Sequence, residues 1–516
     1  MLSRSLLLII SLYLSTHRLC SAEYISFSSQ QELSLADSVP FEDSDIHFTP
    51  SSTFALAQPR LSSSSNRLTL GTRQTTVYRP RSLDVLHKVR LRSLQHSQSE
   101  SERPLWDKLV VEGPDVEDLH TLAQLARMSG NAYALPGQSN WYDVDGSWNR
   151  SFPYGWEESD GFRGHVFMSS DNSTIVLSIK GTTLQGPTSK LDKFNDNLLF
   201  SCCCARVDFS WVLRTVCDCY AKGFRCDNQC LTDALIQDSL FYSIGIKLVD
   251  DLRKIYPSAN LWLVGHSLGG ALASLLGATY GLPAVAFEAP GERLAATRLH
   301  LPLPPPILLP RPKPTLPATF PLPTQYPRFI FSKLGLRLPH LKFPFPFPTS
   351  TDLPNKPTSA PIPPPHPPQP PPSHHPIATT HVYHTADPIP QGACTGFRSP
   401  CASAGYALET RCHLGQSIIF DTISEMGWKS DVRKHIIKSV VTEVLEGGTW
   451  WGRVPRNEGD SSKGATKFGI GKRKNKKGEE EEREGEGNVP KPIIETNCVD
   501  CYKWEFGDFK DELRRP

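Results

Sequence analysis

The sequence predicts an α/β protein with a mostly parallel sheet and helices on both faces, the α/β-hydrolase arrangement. Two observations carry this. First, Leu261-Trp-Leu-Val runs straight into Gly265-His-Ser-Leu-Gly269 and then into the small residues Gly270-Ala-Leu-Ala-Ser274. This reads as a buried strand, a sharp turn through Ser267 and a tightly packed helix, the nucleophile elbow of a serine hydrolase. Gly265 and Gly269 fit because a Cβ at either would collide with a neighbouring strand or helix. Second, a long helical pattern precedes the elbow and a strand-like run, Leu282–Phe287, follows its helix. Such alternation calls for parallel strands joined by helical crossovers.

Composition narrows the class. A chain of 516 residues accommodates one large α/β domain plus extensions, or two or three smaller domains. Lysine and arginine total 55 against 53 aspartates and glutamates, which gives no case for a nucleic-acid partner. The 46 prolines are concentrated in one region and mark an insertion that packs no core. Of 13 cysteines, Cys20 lies in the N-terminal targeting segment, leaving an even twelve. With sequons at Asn149 and Asn172, candidate glycosylation sites, this favours the secretory pathway and disulfides over a reducing cytosol.

Taken in order, residues 1–22 place Arg4 before the apolar run Leu6–Leu14, with Cys20-Ser-Ala22 as a small-residue cleavage site. A transmembrane helix needs about 20 apolar residues, so a cleaved signal peptide is favoured over a signal anchor. Residues 23–105, rich in Ser, Gln and Arg, predict a poorly ordered lead-in. The hydrolase domain is expected over 106–455. It opens with a helix, since Val116, Leu119, Leu122, Leu125, Ala126 and Met128 recur at helical spacing before the stop signal Gly130-Asn131. His165–Met168 and Thr174–Ile179 read as strands joined by a turn, and the second ends in the polar loop Lys180-Gly-Thr-Thr183.

Seven cysteines fall between 202 and 230. They lack the paired Cys-x-x-Cys knuckles of a zinc site, so disulfides are expected. An odd seven sends at least one bridge to Cys394, Cys401, Cys412, Cys498 or Cys501. One long helix is predicted from Leu231 to Tyr256, with Ile236, Leu240, Ile244, Leu248 and Leu252 on one face and Pro257 as terminator. The Pro-rich insertion spans 301–375 and should loop out without breaking the sheet. A strand then runs through Thr380-His-Val-Tyr-His384 to Asp387. After a further strand at Ser417–Phe420, apolar pairs at 436/437, 440/441 and 444/445 predict an amphipathic helix just after His435. Residues 456–516 read as a charged, disordered tail ending in a Cys-containing motif.

A serine hydroxyl is a weak nucleophile unless a base takes its proton and a carboxylate orients that base. An α/β-hydrolase presents the three in the order Ser, Asp or Glu, His. Ser267 is the candidate nucleophile, and Asp387, at a strand end and stiffened by Pro388, the candidate acid. His435 is the candidate base in preference to His413. His381 and His384 precede the acid and do not fit that order, while His266 is expected to support the turn. The oxyanion needs donors aimed where charge develops. The backbone N–H of Leu268 and that of Thr182, with its hydroxyl, are the candidates; the ordinary alternative for Lys180–Thr183 is a plain strand-to-loop turn. A lid is placed by position alone around Gln185–Lys193. Nothing calls for a metal or other cofactor.

These residues together resemble the class 3, or fungal-type, lipases, and more narrowly the autophagy-related lipases of fungi. Alongside the elbow, Lys180-Gly-Thr-Thr and His384-Thr-Ala-Asp-Pro-Ile-Pro, the supporting pieces include Asn195-Asp-Asn-Leu-Leu-Phe-Ser-Cys-Cys-Cys204 and Phe287-Glu-Ala-Pro-Gly-Glu292. Cys401-Ala-Ser-Ala-Gly-Tyr406 and Cys498-Val-Asp-Cys-Tyr-Lys-Trp-Glu-Phe-Gly507 add to them. The resemblance implies an acyl-ester hydrolase acting on membrane phospholipid or triacylglycerol, with Ser267, Asp387 and His435 as its triad. It also implies a membrane-associated glycoprotein that passes through ER, Golgi and multivesicular endosomes to the vacuole, where autophagic bodies and multivesicular-body vesicles are lysed. Two features depart from the family: its N-terminal signal anchor is matched here by a short apolar run, and its link after the elbow is much shorter than residues 301–375. Two other classes stay open, a catalytically idle lipid-binding or membrane-tethered module on a hydrolase fold and a hydrolase of soluble esters or peptides.

Overall fold

The computed structural model describes residues 70–96, 105–148, 150–156, 161–184, 186–203, 217–238, 240–308, 373–395, 399–448, 451 and 489–510. The N-terminal apolar run, Asn149, the body of the Pro-rich insertion and the charge run at 456–488 lie outside them. Among the described residues no helix is long and apolar enough to cross a membrane.

The chain enters through an antiparallel pair, Thr72–Pro80 (β1) against Trp106–Pro114 (β2), with helix Leu83–His96 (α1) between them. This corrects the expected lead-in: residues 70–96 are part of the fold. Val77 and Leu86 are buried, Gly71 N–H donates to Thr121 Oγ1, and the Trp262 indole N–H donates to the Glu112 carbonyl. β1 is built from Thr, Gln and Arg with one buried apolar residue at its centre, too little for a period-2 signal.

Then follow helix Leu119–Asn131 (α2) and strands Arg150–Tyr154 (β3), Gly164–Met168 (β4) and Thr174–Ile179 (β5). Helix Ser189–Phe200 (α3), the short strand Arg225–Asp227 (β6) and helices Asn228–Asp238 (α4) and Leu240–Ile255 (α5) lead to Asn260–His266 (β7). The stretch read as one helix over Leu231–Tyr256 is helical on both sides of Ser239, which lies outside the described residues. Helix Leu268–Tyr280 (α6), strand Ala284–Phe287 (β8) and helix Arg293–Arg298 (α7) complete the part before the insertion. Ile307–Leu308 (β9) pairs antiparallel with Ser373–His374 (β10), so the base of the insertion is a short ladder inside the boundaries expected for it. Thr379–His384 (β11), Gln416–Phe420 (β12) and Glu505–Gly507 (β13) follow.

Seven strands form the main sheet in the order β12-β11-β8-β7-β5-β4-β3. From β12 to β5 all neighbours are parallel, and β4 and β3 close one edge antiparallel. This is the α/β-hydrolase fold. Strand alternation sorts the core: Leu261 and Leu263 of β7, with Ile175, Leu177 and Ile179 of β5, face α5 and α6. Trp262, Val264 and Val176 face α2 and the helical turn after His435. Residues i and i+2 sharing one face is the pleat itself, and both faces are covered, as a parallel sheet requires.

The helix expected after His435 is a brief α-turn, Ile437–Ser439, running into a π turn, Val440–Leu445. Its buried residues are Ile437, Val440, Val441, Val444 and Leu445, while Ile436 stays exposed. The C-terminal segment is also ordered where it returns to the domain, correcting the expected tail. β13 lies parallel to β6, Ile493 bridges to Ser417, and the Glu495 carbonyl accepts from Arg293. Disulfides Cys202–Cys501 and Cys412–Cys498 hold this segment, and Cys203–Cys226, Cys219–Cys230 and Cys394–Cys401 close shorter loops. Cys217 is disulfide-bonded as well.

Candidate active site

β7 ends at His266, and Ser267 takes φ 58° and ψ −130° before α6 begins at Leu268. A non-glycine residue in that region is strained, and such strain gathers at functional turns. The geometry needs bare backbone on both sides. A Cβ on Gly265 would overlap the Gly269 carbonyl, and one on Gly269 would overlap that of Ile179. Ser267 N–H donates to the Phe287 carbonyl at 2.9 Å, which ties the turn to β8.

The three candidate side chains meet here. Ser267 Oγ lies 2.8 Å from His435 Nε2, and His435 Nδ1 lies 2.6 Å from Asp387 Oδ2. Asp387 is wholly buried, and its Oδ1 accepts from the Ile389 N–H at 3.0 Å. Burial alone would raise the Asp387 carboxyl, but His435 and a hydrogen bond from Glu288 outweigh it and hold the group below the usual carboxylate range. With Nδ1–H directed at Asp387, Nε2 is free to accept the serine proton, the tautomer a general base requires.

His435 sits in the 3₁₀ turn Val432–His435, which buried rings fasten from below. His266 Nε2–H donates to the His435 carbonyl at 2.7 Å while its Nδ1 accepts from the Tyr133 hydroxyl at 2.9 Å. Burial, then the neighbouring His435, pushes the His266 imidazole down to about 3, so it stays neutral and keeps that one tautomer. His384 Nε2–H donates to the Lys434 carbonyl at 3.1 Å, and Asp431 N–H donates to the Ala386 carbonyl. His266 and His384 thus position the base from outside the triad. His413, the alternative base, lies elsewhere, beside Glu292.

On the other side of the nucleophile, the loop after β5 packs directly on the elbow: a Cβ on Gly181 would lie 3.1 Å from Ser267 Cβ. Thr182 follows Gly181, and Leu268 follows Ser267, so each candidate oxyanion residue is the chain neighbour of a residue in this contact. The Thr182 hydroxyl itself donates to Asp196 Oδ2, which takes it out of the free donor role expected for it. Burial pushes the Asp196 carboxyl up to about 7 against the pull of that hydroxyl. Lys180 staples the loop to α3. Its ammonium donates to Asp192 Oδ2 at 2.7 Å, to the Gly181 carbonyl at 2.8 Å and to Thr183 Oγ1 at 3.1 Å. Leu184, just before the stretch assigned to a lid, is 76% exposed.

Two groups of side chains could hold a metal ion among the described residues. In one, Cys412 and Cys498 are joined in a disulfide and offer no thiolate. In the other, Glu292 Oε1 already accepts from Ser274 Oγ, His381 Nε2 and the Leu414 N–H, and His413 Nε2–H donates to the Pro390 carbonyl. Hydrogen bonding accounts for much of this second, wholly buried cluster without a cation. Of the sequons, Asn172 is exposed on the tight turn between β4 and β5, where its Oδ1 accepts from Arg150.

Glu288, Tyr133, Asp196 and the Lys180–Asp192 pair were not singled out from sequence. Glu288 carried a usable signal, an acidic residue directly after a run of four apolar strand residues.

Residues 232–421 match the model of the alpha/beta hydrolase family. The chain is 40% identical over 433 residues to "Putative lipase ATG15" of Cryptococcus neoformans, covering 78% of this chain and 70% of that one. It is 36% identical over 422 residues to the Saccharomyces cerevisiae protein of the same name, covering 80% and 61%. Among solved structures, Lip2 lipase from Yarrowia lipolytica aligns with 16% identity and a TM-score of 0.26, over 60% of this chain and 80% of that one. With an elbow serine, a sheet of this topology and relatives aligned along most of its length, the chain belongs to the ATG15 lipase family of alpha/beta hydrolases.

Proposed function

We propose that this chain is a serine lipase of the secretory lumen that hydrolyses acyl esters of membrane phospholipid or triacylglycerol, and that its biological substrate is the membrane of autophagic bodies and multivesicular-body vesicles in the vacuole. The observation that carries the reading is the continuous hydrogen-bond line from Ser267 Oγ through the His435 ring to buried Asp387. In the mechanism it supports, His435 Nε2 takes the Ser267 proton as Oγ bonds to the acyl carbon. The carbonyl electron pair moves to oxygen and is met by the N–H groups of Leu268 and Thr182. As that intermediate collapses the ester C–O bond breaks, and His435 returns its proton to the departing glycerol oxygen. A water molecule then attacks the acyl-serine with His435 again as base, freeing the fatty acid and restoring the serine. Asp387 holds the ring in its working tautomer and stabilises the imidazolium.

The five disulfides among the described residues, Cys217 bonded besides, and the exposed Asn172 support a route through the oxidising secretory pathway. The test compares wild type with Ser267→Ala on phospholipid vesicles and a triacylglycerol dispersion, following released fatty acid. The variant should lose about 10⁴- to 10⁶-fold in kcat. Cells carrying it should accumulate intact autophagic bodies in the vacuole. Equal turnover by the two proteins would remove the triad and with it the enzyme reading.

A further inference from the structure

One buried acid at the site has no part in the triad. Glu288 directly follows β8, with its backbone at φ 45°, a conformation that a residue with a side chain adopts at a cost. Its carboxyl is wholly buried. The His384 backbone N–H donates to it, at 3.1 Å to Oε1 and 3.5 Å to Oε2. Among the described residues no lysine or arginine meets it there. The His384 ring lies 3.8 Å away, but its Nε2–H is committed to the Lys434 carbonyl and its Nδ1 faces the Thr422 hydroxyl. The other group on Glu288 is Asp387, within side-chain hydrogen-bond reach.

Two carboxyls in contact without solvent cannot both ionise, and one keeps the proton. The surroundings decide which. Asp387 receives His435 Nδ1–H and the Ile389 N–H, so its charge is supported, whereas Glu288 has one backbone donor. We infer that Glu288 is a positioning residue whose retained proton is donated to Asp387, so that the triad acid is hydrogen-bonded from both sides and its carboxylate grips the His435 ring less tightly. Burial and then the charge of Asp387 raise the Glu288 carboxyl well above the usual range, in line with this assignment. The other titratable groups around the pair are His384, His435 and Tyr383, the last facing Glu288, with His266, Lys434, Glu443 and Asp196 acting on the two histidine rings. The inference rests on the triad reading proposed above. It deepens that reading by assigning what sets the acid limb of activity.

The experiment measures kcat/KM against pH on a soluble short-chain ester for wild type, Glu288→Gln and Glu288→Leu, with Ser267→Ala as reference. Glutamine keeps a donor toward Asp387 and should leave the acid limb within about 0.3 pH unit of wild type; leucine removes the donor and should move it up by about 0.5–1 unit. Coincident limbs for folded leucine and wild-type proteins would overturn the inference. Undiminished turnover by Ser267→Ala would instead overturn the triad and leave the carboxyl pair to be judged by spectroscopy. Infrared difference spectra of wild type against Glu288→Gln supply that readout, and they serve equally where the leucine variant fails to fold. At neutral pH the difference should carry a protonated-carboxyl band of Glu288, the band of Asp196 cancelling between the two proteins, and a difference without it would refute the shared proton.

Discussion

Lys180→Met tests whether a single buried ion pair holds the loop that carries Thr182. The ammonium and the Asp192 carboxylate are 2% and 0% exposed and 2.7 Å apart. The substitution keeps the aliphatic stem but removes the donor to Asp192, to the Gly181 carbonyl and to Thr183 Oγ1. Asp192 Oδ2 would keep the Thr183 N–H and the Thr188 hydroxyl, while Oδ1 has no partner among the described residues to take up the charge. Leaving one member of a buried pair uncompensated costs about 3–5 kcal/mol. Urea unfolding followed by tryptophan fluorescence should show that loss as a lower midpoint at unchanged slope. Adding Asp192→Asn removes the stranded charge but keeps the oxygen that Thr183 and Thr188 donate to, so the double variant should recover more than half of it. A loss below about 1 kcal/mol, or a double variant no more stable than the single, would refute the reasoning. In the single variant kcat should fall more than KM changes, because the displaced loop borders the reacting carbonyl rather than the acyl chain.

His266→Phe keeps a ring under the base but deletes the donor to the His435 carbonyl and the acceptor for Tyr133. It should lower kcat/KM by about 10–100-fold through misplacement of His435, read on a soluble ester, and a kcat within twofold of wild type would count against it. The Glu292 cluster sets a pH window for stability. Burial alone would raise the Glu292 carboxyl, but His381 and His413 outweigh it and hold it far below its usual value. Its contribution is therefore present above the unfolded value of about 4.3 and lost as pH falls through the folded value. Burial alone would lower the His413 imidazole, but Glu292 outweighs it and raises it, so that contribution is complete below about 6.5 and lost as pH rises through the folded value. Urea midpoints of wild type and Glu292→Gln should thus differ most between about pH 4.5 and 6.5, and a difference that keeps growing above pH 7 would contradict the sign.

Much of the sheet was legible in sequence because its strands are buried on both faces and read as unbroken apolar runs ending in polar loops. The elbow was the clearest case, since Gly265 and Gly269 are demanded by backbone packing rather than by preference. Ser267, Asp387 and His435 could be singled out by residue type and chain order, and the structure brings all three within hydrogen-bond distance. What supports them was not visible. His266 and His384 act through rings that reach the carbonyls of residues far along the chain, and no local pattern encodes such a meeting. The entering strand β1 escaped because its stability comes from pairing with β2 and from one buried valine. The use of Thr182 by Asp196 depends on α3 returning over the loop, which spacing does not reveal.

The two long-range disulfides change what a broken chain would be. Cys501 joins the C-terminal segment to the part before the Pro-rich insertion, and Cys498 joins it to the part after. A protease that cuts anywhere between 309 and 372 leaves two polypeptides, but Cys202–Cys501 still links them. A second cut between 452 and 488 yields three, and the segment carrying Cys498 and Cys501 then becomes the covalent bridge between the other two. Ser267 would reside on one fragment and Asp387 with His435 on another, yet the three could remain one working unit. On a gel such an enzyme runs as a single band until reductant is added, so apparent intactness in an oxidising, protease-rich compartment says nothing about how many peptide bonds have been cut.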